Sequence, residues 1–97
     1  MAEVVLRPSA EADLENIARY TIERWGDTQA ESYLSSLRRD IISLGVFPER
    51  HPVHKSRHGA FRKLVSGHHR VFYLFDSRTI EVVRVLHERM DVEDRLG

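Results

Sequence analysis

The sequence contains no cysteine. That excludes disulfides, thiolate metal centres and cysteine nucleophiles, and it suits a reducing cytosol. No stretch approaches the ~20 apolar residues of a membrane-spanning helix. The opening Met-Ala-Glu-Val-Val-Leu-Arg carries an acid early and no long apolar run, so no secretory signal and no membrane partner are expected. There is no glycine-rich phosphate loop, no serine–histidine nucleophile pattern and no dinucleotide fingerprint, so no cofactor is expected. Net formal charge is also absent, at zero. What remains is 97 residues, 41% hydrophobic and 31% charged, which reads as one globular domain with a thin core, not a disordered chain.

The zero conceals an uneven distribution. Residues 1–49 hold five Lys/Arg against nine Asp/Glu, and residues 71–97 hold four against six. Residues 50–70 hold six Lys/Arg, no acid, and five of the six histidines. Such a stretch projects a positive field toward an acidic partner. A solvated loop with hairpin edges is the plainer reading of the same composition.

Along the chain, residues 3–7 form a short strand rich in β-branched residues, stopped by Pro8-Ser9. Ser9 is a suitable N-cap, with Glu11 and Asp13 in the first turn, where the helix dipole favours acids. Leu14, Ile17, Ala18, Ile22 and Trp25 then recur at helical spacing, predicting a helix over 10–25. Gly26 ends it and Asp27 caps the next helix, in which Ala30, Tyr33, Leu34, Leu37, Ile41 and Leu44 repeat the pattern over 28–44. A two-residue break makes the pair a tight antiparallel hairpin.

Residues 47–59, with two prolines, a glycine and three histidines, read as a loop. Strands are predicted over 60–66, 69–75 and 79–87, separated by turns at Gly67-His68 and Asp76-Ser77-Arg78. The tail from Glu88 to Gly97 either forms a short helix or frays. The order β-α-α-β-β-β is α+β: one small, mostly antiparallel sheet with the helical hairpin packed on one face.

The last two strands are apolar on both faces. Strict alternation puts Val71, Tyr73 and Phe75 opposite Phe72 and Leu74 in the first of them. In the second it groups Ile80, Val82 and Leu86 with Arg84, and Val83 and Val85 with Glu81 and His87. A sheet with one solvated face alternates apolar and polar residues, and this one does not. Two helices cover one face only. Each large apolar side chain left in water forgoes about 1.5–3 kcal/mol, and a contiguous exposed patch marks an interface. Two other covers stay open: the tail and long loop folding back, or a second copy of the chain. An end strand could also accept a strand from a partner.

The residue types present raise two chemistries. His51, His54 and His58 have ligand-like spacing, but Pro52 opposes a helix that would align them, and Arg50, Lys55, Arg57 and Arg62 surround them without a carboxylate. No metal site is expected. RNA cleavage needs a base, an acid and cations on the phosphate; Arg62, Arg84 and His87 form the candidate set, with Lys63 and Arg70 near them in sequence. Trp25, Tyr20 and Tyr33 read as core or hairpin anchors.

Several segments, taken together, resemble one family. They are Leu6-Arg-Pro-Ser-Ala-Glu-Ala-Asp-Leu-Glu-Asn-Ile17, Arg24-Trp25-Gly26, Gln29-Ala30, Tyr33-Leu34, Pro48, and Phe61 through Tyr73. The most specific is Val82-Val-Arg-Val-Leu-His-Glu-Arg-Met-Asp91. In order and spacing, over nearly the whole chain, they resemble the ParE branch of the RelE/ParE toxin superfamily. The resemblance implies a compact sheet with a helical hairpin, a ParD-like antitoxin whose C-terminal segment wraps the toxin, and poisoning of DNA gyrase by a non-enzymatic inhibitor in the cytoplasm. No sequence-specific nucleic-acid binding is expected. The related RelE branch cleaves messenger RNA on the ribosome, which is the alternative function, and His87 alone does not separate the two. Target inhibition is assigned to Arg57, Arg62, Lys63, Arg84, His87, Arg89 and Met90. Antitoxin contact is assigned to Tyr33, Leu37 and Ile41 on the hairpin and to Phe72 and Leu74 on the uncovered sheet face.

Overall fold

A computed structural model describes residues 2–97. The chain runs β1 (Glu3–Leu6), α1 (Pro8–Trp25), α2 (Asp27–Ser43), a 3-10 turn (Pro48–Arg50), β2 (Val53–Ser56), β3 (Gly59–Ser66), β4 (His69–Phe75) and β5 (Thr79–His87). The five strands form one sheet in the order β1-β5-β4-β3-β2. Only β1 pairs in parallel, with β5; the other neighbours are antiparallel. The α+β architecture expected from the sequence is therefore present, with one strand more.

That extra strand, β2, lies inside the stretch read as a loop. Its local sequence is a poor strand former, and it is held by pairing with β3, Val53 opposite Arg62 and Ser56 opposite Gly59. Helix α1 begins two residues earlier than expected, with Pro8 in its first turn, where the missing N–H costs nothing. Ser9 is consequently inside the helix and does not cap it; its hydroxyl donates to the Val83 carbonyl at 3.0 Å. Asp27 is the first residue of α2, and the break between the helices is Gly26 alone, at φ +84°.

Ala10, Leu37, Ile41 and Leu44 from the helices meet Leu64, Val71, Tyr73, Ile80, Val82 and Val85 from the sheet in the main core. On the other face, Phe61, Phe72, Val83, Leu86 and Leu96 form a second cluster, with Leu74 and Val92 against it. Strict alternation fails in β5 because the register shifts at Phe72/Tyr73: Phe72 faces Arg84, but Tyr73 faces Val82, leaving Val83 as an inserted residue. Such a bulge switches the parity of everything beyond it. Val85 thus joins Ile80 and Val82 beneath the helices, and Leu86 joins Val83 behind the sheet, the reverse of the expected grouping.

The expected open back face is also corrected. The tail is neither helix nor frayed end but a series of turns that lays Val92 and Leu96 over Phe72. It is clamped by Arg57, whose guanidinium lies 3.4 Å from Asp94, and by the Arg84 guanidinium, which donates to the Arg95 carbonyl at 2.8 Å. Two apolar residues four apart suffice because β2 supplies the rest, with the His54 ring edge-on to Phe72 at 5.2 Å.

Candidate functional site

Strand β1 covers only the first half of the β5 edge, ending where the Arg7 N–H donates to the Val82 carbonyl. Beyond that point the edge needs other partners, and the first turns of α1 provide them. Asp13 accepts from the Val85 N–H at 2.9 Å and from two guanidinium nitrogens of Arg84, each at 2.7 Å. The two side chains are 12% and 20% exposed, so the pair is largely desolvated. The hydrogen bond from Arg84 to Asp13 pushes the guanidinium pKa above its ordinary value. Arg84 is thus a structural cation joining α1, β5 and the tail.

His87 lies at the opposite end of β5 from Thr79, in a cluster of three histidines. Its ring is 5.3 Å from that of His69 at right angles, and 6.2 Å from that of His68, stacked. Glu88 bonds His68 at 2.6 Å and lies 3.4 Å from Arg70; the bond to His68 pulls its carboxyl below the usual range. The His69 ring nitrogen is bonded by the Tyr33 hydroxyl, which also accepts from the His68 N–H. Burial, aided by the charges of His87 and His68, lowers the His69 pKa to about 4. At neutral pH His69 is a neutral acceptor for Tyr33, and the burial of Tyr33 raises its phenol. Arg89 and Met90 follow on an exposed turn beside this corner.

Arg62 points elsewhere. It donates to the carbonyls of Glu49 and His51, both at 2.8 Å, and lies over the Phe75 ring. The proposed nuclease set does not converge. Arg62 is level with Tyr73 and His87 with His69, four residues apart on β4, which is about 13 Å along the strands. Arg84 stands about 10 Å from the His87 level by the same spacing, and its donors are engaged. Lys63, opposite Phe72, is half-buried. His51, His54 and His58 separate as well: against Tyr73, against Phe72, and onto the Glu93 carbonyl.

The assignment of partner contacts needs correction. Leu37, Ile41 and Phe72 are buried, Phe72 completely, because the periodic stripe of α2 faces the sheet and the tail covers the back. Tyr33 is half-buried with its hydroxyl engaged, and Leu74 is half-buried at the margin of the second cluster. The exposed large apolar side chains include Tyr20, Ile22 and Trp25 in the second half of α1, Ile42 in the last turn of α2, and Val46 and Phe47 just after it. Helix α1 is about 27 Å long, and in its last turns Thr21 is buried while Tyr20, Ile22 and Trp25 are exposed. Ile42 was legible as the off-stripe neighbour of Ile41; Asp13, whose partners are 71 and 72 residues away, left no local signal.

A model of the ParE toxin of type II toxin–antitoxin systems, parDE, matches residues 4–92. The chain belongs to the ParE toxin family. The "Toxin ParE1" of Mycobacterium tuberculosis is 42% identical over 93 residues, covering 95% of each chain. The "Toxin ParE" of Escherichia coli is 37% identical over 100 residues, covering all of this chain and 95% of its own. A structure described as "Chromosomal ParDE TA system from P. aeruginosa" superposes with a TM-score of 0.77 over 90% of this chain and 96% of that one, at 16% identity, which speaks for the fold. This ParE-family chain is the toxin component of a type II toxin–antitoxin system. Among its described residues no helix is long and apolar enough to cross a membrane.

Proposed function

We propose that the chain inhibits DNA gyrase without catalysing a reaction, acting in the cytoplasm, and that a ParD-like antitoxin neutralises it. The observation that carries this reading is the family match over almost the whole chain. The structure supports it from the other side: the residues that a ribonuclease would need to bring together are spread along β3 and β5, and Arg84 is committed to Asp13. The surface left for a target is the corner carrying His87, Arg89 and Met90, with Arg57 and Lys63 as more distant cations of the proposed set.

The test is a supercoiling assay with purified gyrase and antitoxin-free toxin. Inhibition that is relieved by stoichiometric antitoxin is expected, along with intact messages in primer extension on translated RNA. Unchanged supercoiling at excess toxin would count against the gyrase reading. Cleaved messages would move the chain to the ribonuclease class.

A further inference from the structure

Phe47 is the only non-glycine residue at positive φ among the described residues, at φ 54° and ψ 60°. The residue is 66% exposed, the most of any large apolar residue described. The left-handed region is strained for a bulky side chain, and such strain persists only where the surroundings over-determine it. Here they do. The buried Tyr73 hydroxyl donates to the Pro48 carbonyl, and Arg62 donates to the carbonyls of Glu49 and His51. Both ends of the turn after Phe47 are thereby pinned from the sheet. A left-handed residue after a helix is usually glycine, yet Gly45 sits two positions earlier and the strained position carries an aromatic ring. The ring belongs to neither apolar cluster of the fold.

We propose that Phe47, flanked by Ile42 and Val46, is a preformed anchor for an acidic segment of the antitoxin, and that it inserts into an apolar pocket of that segment. The proposal rests on the toxin–antitoxin reading above. The charge of the surrounding chain segment selects the occupant: residues 38–63 carry seven Lys/Arg against two Asp/Glu, and of these Arg57 is paired with Asp94 while Asp40 accepts from Ser66. Interface hot spots are enriched in aromatic residues, and this one is exposed on a pinned turn. The pinned turn reduces the ordering entropy lost on binding.

Phe47→Gly separates this role from a structural one, because it removes the ring and relieves the strain together. With the full-length chain and its ParD-like antitoxin, calorimetric titration should show binding weakened about 30-fold, the factor of a 2 kcal/mol hot spot. The melting temperature should stay unchanged or rise. Phe47→Leu should lose less affinity than Phe47→Gly. Raising salt should weaken wild type and Phe47→Gly by the same factor, since the cations are intact. Unchanged affinity in Phe47→Gly overturns the proposal, as does a melting temperature that falls with the affinity. A wild-type chain that fails to bind antitoxin overturns the pairing itself, a result distinct from either.

Discussion

Asp13→Ala should cost the folded chain about 3 kcal/mol. The substitution removes two charge-assisted bonds to Arg84 and the acceptor of the Val85 N–H. Bonds to charged groups contribute about 1.5–3 kcal/mol, and removing one member of a buried pair costs about 3–5 kcal/mol because the other stays buried and unpaired. The lower end applies because Arg84 keeps its bond to the Arg95 carbonyl and its side chain is 20% exposed. Asp13→Asn keeps one acceptor for Val85 and should lose about 2 kcal/mol by the same reckoning. Urea unfolding followed by circular dichroism gives the midpoint shift at constant slope, and a double-mutant cycle with Arg84→Met should return a coupling of about 2 kcal/mol. A loss below about 1 kcal/mol for Asp13→Ala, or no coupling, would refute the argument. The cycle also bears on function. If Arg84 acts through the fold, toxicity and stability should fall together in both single variants. If Arg84→Met lost toxicity while remaining stable, Arg84 would return to the target-contact set.

Three further outcomes are expected. The folded pKa of His69, about 4, lies below the ordinary 6.5, so the unfolded chain binds the extra proton; stability is full above pH 6.5 and falls toward pH 4, by up to about 3 kcal/mol. Ring resonances of His69 followed by NMR should not titrate above pH 5, and a midpoint near 6.5 would contradict its burial. Gly67→Ala places a methyl carbon 2.7 Å from the Tyr33 ring at φ +57° and should cost about 2 kcal/mol, from left-handed strain and the displaced ring; a midpoint shift worth less than about 0.5 kcal/mol would show that the turn adapts freely. Leu96→Ala should cost about 2–3 kcal/mol by opening the second cluster and should raise amide exchange along β4, whereas an unchanged midpoint would mean the tail is not docked in solution.

Features with local causes were legible in the sequence. Leu37, Ile41 and Leu44 recur at helical spacing and lie in the main core, and the apolar runs of β4 and β5 are the central strands. What escaped was set by distant partners. Strand β2, Val-His-Lys-Ser directly after Pro52, has one strand former in four residues, and it exists because β3 offers it an edge. The bulge at Val83 left a period-two pattern looking intact while exchanging Val85 with Leu86. The apolar sheet surface exceeds what two helices cover, and Val92 and Leu96 complete the cover from within a charged tail whose composition hides them. Phe72 is therefore buried and not on a partner surface. The cations behaved similarly: Arg84 and Arg62 looked available by composition, and each is spent on a carboxylate or on carbonyls that no spacing rule connects to it.

The second cluster is closed by Val92 and Leu96, which lie beyond the last strand. With those two lifted away, Phe72, Val83 and Leu86 have a bare side, and the sheet is finished on one face only. Release of residues 88–97 from the sheet would therefore present a sticky surface to chaperones and proteases. That segment is a place where the toxin's lifetime can be shortened without touching its helices.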